Sequence, residues 1–310
     1  MDTRVASPIL VTGSHSSGTT WVGRMMASVP GMAYLHEPFN KDFDRDICKV
    51  KFPYWFMYVC DENESEYAPS IRDMLEFRPK FIQGLMRSRS VKQAAKQFRT
   101  LVQFTRFRTL ASRPLVKDPI AVFSVDWLVK RFGMTPVILI RHPAAFAGSL
   151  KRNHWDHPFG DFLKQPLLMR DHLHPFLNEI DMFAEKKFDI IDQAALLWKI
   201  IYHVVSIYQK EHPDWIFVRH EDLSLDPING FKDIFQKADI PFSKETELAI
   251  KSFSGGPPEL PADRKKFPRL QRNSVENIKS WKFRLTSDEV SRVRDRVGDA
   301  SSLFYSDSDW

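Results

Sequence analysis

The sequence predicts an α/β domain in which helices cover both faces of a mostly parallel central sheet. Three observations carry that expectation. Pro8 to Met26 (PILVTGSHSSGTTWVGRMM) opens with an apolar run of β propensity, stops at Gly13, passes through a small polar loop and enters a helical pattern at Thr19 and Thr20. Thr135 to Pro143 (TPVILIRHP) holds a continuous apolar run, as a strand does when both its faces are covered. Around these, short β-rich runs alternate with helical ones, the order of a βα repeat. The 310 residues, 43% hydrophobic and 27% charged, suffice for a sizeable core, and we read 1–310 as one domain.

Taken in order, the first helix runs from Thr20 to Val29, where Pro30-Gly31 stops it. Met32 to Phe39 contains a second short strand that emerges at His36-Glu37. Glu37 precedes Pro38, so extended geometry is expected there, with His36 and Glu37 pointing to opposite sides. Asp42 to Tyr67 has no clean period. Arg78 to Arg113 holds ten Lys/Arg and no Asp/Glu, with apolar residues at helical intervals, and reads as a basic helical insert, 78–113. Either it is a solvated helix face or it guides an anionic acceptor or nucleotide.

Pro114 to Pro119 (PLVKDP) is a third strand with Lys117 at its exit, and a helix is expected from Ile120 to Phe132. After the strand at 135–140, Pro143 suits a first helical position and Ala144 to Arg152 continue the helix. His154, His157, His172 and His174 lie among Pro, Phe and Leu between Asn153 and Lys187. No Cys or clear carboxylate completes a ligand set, so we expect no metal and read 153–187 as a substrate-covering region. Ile190 to Gln209 is an amphipathic core helix whose polar residues keep it short of a membrane span. Trp215 to Leu223 gives a fifth strand and an acidic turn, in which Glu221 and Asp222 hold loops, and Pro227 to Ala238 gives a helix. An irregular basic segment from Gly255 to Arg272 precedes a last helix, capped by Thr286 or Ser287 with Glu289 in its first turn.

A net charge of +6 and a pI near 9.2 point to anionic ligands. No RRM, KH, zinc-finger or helix-turn-helix signature accompanies the charge, so nucleic acid is not the expected partner. Cys48 and Cys60 are too few for a disulfide framework. The chain enters a strand within a few residues of its first Met, with no basic-apolar leader, and a cytoplasmic location is expected. Nothing in it sets an oligomeric state.

Strand, small-residue loop and helix N-terminus together present backbone N–H groups and the positive helix end to an anion. The spacing Gly13-x4-Gly18 is P-loop-like, but Thr19 stands where the nucleoside triphosphatase motif has Lys, so a conventional ATPase or GTPase is not expected. The run Ser17-Gly18-Thr19-Thr20-Trp21 instead resembles the 5′-phosphosulfate loop of sulfotransferases that use 3′-phosphoadenosine 5′-phosphosulfate (PAPS), closest in pattern to the carbohydrate, tyrosylprotein and bacterial branches. A second motif follows in the right order. Arg141 and Ser149 stand eight apart, as do the Arg and Ser that bind the 3′-phosphate in that family, and a guanidinium fork with a hydroxyl is suitable phosphate chemistry.

The resemblance implies a transferase moving a sulfuryl group from PAPS to an acceptor hydroxyl, with PAP as product. It implies that Ser16, Ser17, Gly18, Thr19 and Thr20 hold the phosphosulfate, that Trp21 stacks on adenine, and that Arg272 reaches the 3′-phosphate, with Arg264, Lys265 and Lys266 as substitutes. Glu37, 21 positions beyond Ser16, falls where relatives place the general base, and His36 is its competitor. One departure stands out: relatives carry Lys or Arg where this chain has Ser16, and His15 or Lys117 would have to supply the missing cation. The acceptor is then a carbohydrate or another hydroxylated metabolite, acidic if the basic insert guides it. The rival readings are a PAP- or PAPS-binding protein without transferase activity and an atypical nucleotide kinase.

Overall fold

Five strands form the centre: β1 (Ile9–Gly13), β2 (Met32–His36), β3 (Arg113–Lys117), β4 (Thr135–Ile140) and β5 (Ile216–Arg219). A computed structural model describes residues 6–42, 47–78, 90–254 and 278–310. All four pairings are parallel and the strand order is β2-β3-β1-β4-β5. From β1 the chain goes to the edge strand β2, returns to β3 between the two, then crosses to β4 on the other side of β1 and ends at the opposite edge, β5. A ligand crevice is expected where the order reverses, beyond the C-terminal end of β1.

Period-2 alternation divides the sheet's apolar side chains between two layers. Ile9, Val11, Leu115, Val137 and Leu139 pack with Val22 and Met25 of α1 (Thr19–Met26) and with Phe231 and Phe235 of the helix Pro227–Lys237. Leu10, Val116, Ile138 and Ile140 face the larger layer, with Phe146, Leu150, Trp198 and Tyr202. Each fully buried side chain of this kind contributes about 1.5–3 kcal/mol. Helices thus cover both faces.

Four further helices matter below: α2 (Val91–Thr109), α3 (Pro143–Asn153), α4 (Ile190–Glu211) and α5 (Ser287–Ser302). The expected starts and stops largely hold. His142 caps α3 by accepting the Ala144 N–H, Pro143 follows as its first residue, and Thr286 and Glu289 form a reciprocal capping box on α5. By length and composition α4 is apolar enough to cross a membrane, contrary to the sequence expectation; in this fold it lies in the core, with 13 of its residues buried.

Two local expectations fail. The helix expected from Ile120 begins as a 3-10 turn at Val122–Ser124 and becomes α-helical only over Val125–Phe132. There the Ser124 hydroxyl donates to Met57 O (2.8 Å) and accepts the Val59 N–H (2.9 Å), tying the turn to a distant loop. The acidic turn after β5 is instead a short helix, His220–Leu225.

Candidate active site

The loop between β1 and α1 is held open by two glycines and by bonds within itself. Gly13 has φ +145°, and a Cβ there would stand 2.4 Å from the Leu139 carbonyl oxygen; Gly18 has φ +97°, and a Cβ there would stand 2.4 Å from Nδ1 of His220. Neither position admits a side chain. Ser17 turns inward, its N–H (3.2 Å) and hydroxyl (2.6 Å) both donating to Ser14 O, so this hydroxyl proton closes the loop and does not face outward.

Gly18 caps α1 without any side-chain hydrogen bond, and the first turn contains no acidic residue. The first N–H groups of a helix have no intrahelical acceptor. This end is therefore a cradle for an anion, and the positive end of the helix dipole favours one there. Two buried donors or acceptors beside it, Trp21 Nε1 and His220 Nδ1, have no hydrogen-bond partner among the described residues. Trp21 is half-buried, edge-on to Phe231 (5.2 Å between centroids) and to His220 (5.9 Å). These features fit a nucleotide phosphate with an adjoining ring.

At the ends of β2 and β3 stands an ion pair. Lys117 is 1% exposed and Glu37 14% exposed, and the Lys117 ammonium donates to Glu37 Oε1. The lysine's stem crosses α1 at Gly23, where a Cβ would come within 3.0 Å of Lys117 Cγ. Asn40 Nδ2 donates to Glu37 Oε2 (2.9 Å). Burial pushes the Glu37 carboxyl up, but the Lys117 charge and hydrogen bond, aided by Asn40, outweigh it and hold it below its usual range. Next in the chain, buried Asp118 accepts the N–H groups of Phe39 (2.6 Å) and Ile120 (3.1 Å); burial lifts its carboxyl to about 7 despite those bonds.

Glu37 is not extended. Its φ is +49°, its N–H donates to Lys117 O (2.7 Å) and its carbonyl accepts from Asn40 N–H (3.2 Å). The chain turns here because Lys117 and Asp118 capture two of its N–H groups, those of Glu37 and Phe39. The expected opposition of His36 and Glu37 therefore fails: His36 Nε2 lies 3.7 Å from Glu37 Oε1. A non-glycine residue at positive φ costs of order 1–3 kcal/mol and persists where its surroundings fix it.

His15 sits among rings, 5.1 Å from Phe146, 5.9 Å from Phe56 and 5.8 Å from the half-exposed Trp155. Burial lowers its pKa to about 4, only partly offset by the Glu37 charge. Without a bound anion its ring is neutral near pH 7, which leaves Lys117 as the candidate that already carries a charge. Ser16 stands at φ +63° in the loop, while Thr19 is buried and Thr20 exposed at the helix start.

Arg141, just ahead of α3, and Ser149, about two turns inside it, are both buried. Arg141 Nε lies 3.5 Å from Glu221 Oε1. Glu221 also accepts the His142 N–H (3.1 Å) and the Tyr305 hydroxyl (2.8 Å), so it does hold neighbouring segments together. Ser149 donates to Ala145 O (2.9 Å) one turn back. Arg272, Arg264, Lys265 and Lys266 lie outside the described residues.

Two neighbours of these residues were not named from the sequence. The Tyr202 hydroxyl on α4 accepts the Arg141 N–H (3.0 Å) and lies 2.9 Å from the Ser14 hydroxyl, joining the loop to the end of β4. Only its place in an apolar helical period was visible. Arg284 packs over α3 at Gly148, its Cβ 3.6 Å from where a Cβ of Gly148 would be, next to Ser149. It follows the Trp281-Lys282 pair, where the expectation had looked ahead of that pair.

No protein-family model and no curated protein matches the chain. Among solved structures it is similar to the sulfotransferase domain of the curacin biosynthetic pathway, at 15% identity over 98% of this chain and 99% of that one, with a TM-score of 0.52. The sulfotransferase domain of the Synechococcus PCC 7002 olefin synthase is 15% identical over 99% and 98% of the two chains, with a TM-score of 0.48. A sulfotransferase of Mycobacterium tuberculosis is 14% identical over 96% and 78%, with a TM-score of 0.45. With its all-parallel sheet and the cradle after β1, and on its likeness to the curacin domain, the chain has the sulfotransferase fold.

Proposed function

We propose that the protein is a cytoplasmic sulfotransferase that uses PAPS and sulfates a hydroxyl of a carbohydrate or another hydroxylated metabolite. The observation that carries this reading is the buried Lys117–Glu37 pair beside a loop built to receive an anion. PAPS, when bound, supplies an activated sulfuryl group whose transfer leaves PAP. The N–H groups of Gly18, Thr19 and Thr20, with the hydroxyls of Ser16, Thr19 and Thr20, would hold its 5′ end; Trp21 would meet the base. Arg141 and Ser149 would hold the 3′-phosphate, with Arg284 the nearest described addition.

Glu37 would accept the proton of the acceptor hydroxyl. Its carboxylate is ionised at neutral pH because Lys117 holds it so. The Lys117 ammonium, brought to this edge through the gap at Gly23, would supply the positive charge that Ser16 does not. Electrostatic help of this kind acts in a buried setting, where it is worth more than in water. The turn at Glu37 and the carboxylate of Asp118 would fix the base in position.

The test is thermal stabilisation of the whole chain by PAP against ATP with Mg²⁺, in the parent and in Arg141→Ala and Ser149→Ala. A ligand present at about 100 times its Kd adds roughly 2.7 kcal/mol. Selective stabilisation by PAP, lost in both variants, followed by transfer of labelled sulfate from PAPS to a hydroxyl acceptor, is the expected result. PAP binding with no transfer to any acceptor would leave a binding protein, and preference for ATP would leave a kinase.

A further inference from the structure

The fold leaves one long helix almost wholly outside its core. Of the described side chains of α2 only Phe104 is fully buried; it meets Phe77 edge-on at 5.9 Å, and Phe107 also packs on Phe77 at 5.4 Å. The opposite face carries Val91 (86% exposed), Phe98 (58%) and Val102 (52%), together with exposed Ala95. The positions 91, 95, 98 and 102 follow a 4-3-4 spacing, which lines them up along one side of a helix. Leu110, just beyond the helix, is 62% exposed. Lys92, Arg99 and Arg106 recur every seventh residue along one flank of this stripe, and all three are exposed.

The charge of the whole chain is concentrated here. Residues 78–113 hold ten Lys/Arg and no acid, and the other 274 residues hold 35 basic and 39 acidic ones. Outside this insert the protein is slightly acidic. A polyanion such as a glycan or RNA would be met by the basic flank alone and would leave the apolar stripe in water. A protein partner would match the stripe but gives no reason for a basic flank without a single acid. An anionic bilayer matches both: cations on headgroups and apolar side chains between them.

We propose that α2 docks the protein flat onto an anionic phospholipid surface, with Val91, Ala95, Phe98 and Val102 entering the headgroup boundary and Lys92, Arg99 and Arg106 on the lipid phosphates. The surface is independent of the sulfuryl-transfer reading and stands or falls separately.

The test is co-sedimentation of the full chain with vesicles of phosphatidylcholine, with and without about a third phosphatidylglycerol. Binding is expected only with the anionic lipid, and weakens with salt because Debye screening shortens. Val91→Ser/Phe98→Ser/Val102→Ser keeps the net charge and touches no core residue; it should lose at least about tenfold in vesicle affinity with an unchanged melting temperature, and Lys92→Gln/Arg99→Gln/Arg106→Gln should lose a similar amount. The proposal is overturned by no binding to anionic vesicles, by a serine variant that binds them as the parent does, or by a parent that is a dimer in solution and becomes a monomer in the serine variant. Tighter binding of heparin or RNA than of anionic vesicles overturns it too.

Discussion

The carboxyl edge of the sheet carries two buried charge clusters that differ in how their charges are held. At the ends of β2 and β3, the Lys117 ammonium and the Glu37 carboxylate pair with each other, and burial lifts neighbouring Asp118 to about 7 while it lowers His15 to about 4. At the ends of β4 and β5, Glu221 receives the Arg141 guanidinium, the His142 N–H and the Tyr305 hydroxyl, and His142 is enclosed by Trp281, Tyr305 and Trp310 with its pKa near 3. In the proposed reaction the first cluster exchanges a proton and the second holds the nucleotide. A transferase needs one of each.

The largest effect should come from breaking the first cluster. Glu37→Gln keeps the turn and the Asn40 contact but removes the proton acceptor, and transfer should fall by about 10²–10⁴-fold with PAP binding retained. Lys117→Met should cost a comparable factor and also move the acid limb of kcat/KM upward, since burial would then be the leading influence left on Glu37. If Glu37→Gln transfers at the parent's rate, the proton leaves by another route and the comparison collapses.

Gly18→Ala tests the cradle both clusters share. A methyl group 2.4 Å from His220 Nδ1 at a positive φ must displace the ring or the loop, so PAP stabilisation should vanish and stability should fall by about 1–3 kcal/mol. Alanine at Gly31, where nothing lies within 4 Å, is the control: it has the same backbone strain without the clash.

The two clusters were unequally legible in the sequence. Gly13, Gly18 and the run Pro136 to Ile140 fixed the loop and its strands because local chemistry decides them. Arg141 and Ser149 were named from the family resemblance, and the end of β4 and the body of α3 carry that eight-residue spacing here. Glu37 and Lys117 could be named, but their geometry could not: a residue before proline prefers extended backbone, and hydrogen bonds to Lys117 and Asp118, some 80 positions away, override that preference. Tyr202 was hidden among the apolar residues of a core helix, 188 positions from the Ser14 it contacts. Tyr202→Phe removes that hydroxyl from a site where it accepts the Arg141 N–H, and should cost about 1–3 kcal/mol, read as a lower midpoint in urea with an unchanged m-value.

The second cluster yields an effect of opposite sign. Glu221 shares the neighbourhood of Arg141 with the proposed phosphate, so Glu221→Gln should raise PAP affinity several-fold while Arg141→Ala lowers it. Isothermal titration reads both, and equal losses would mean that Glu221 orients the guanidinium and does not compete with the ligand.

The smallest effect is a slope. The folded-state pKa of His15 is about 4 against an ordinary 6.5, so the unfolded chain takes up a proton there first as pH falls. The stability this neutral ring contributes is fully present above 6.5 and is lost between 6.5 and 4. One proton corresponds to at most about 1.4 kcal/mol per pH unit. His15→Phe, placed among Phe56, Phe146 and Trp155, should flatten the fall of unfolding free energy across that window by up to this amount while leaving it nearly unchanged at pH 7.5. His142, whose pKa lies near 3, and His220, also depressed by burial, keep their own contributions, so the slope lessens without vanishing. An undiminished slope would mean that His15 takes up its proton in the folded state, and the cation missing at Ser16 would then have a second source beside Lys117.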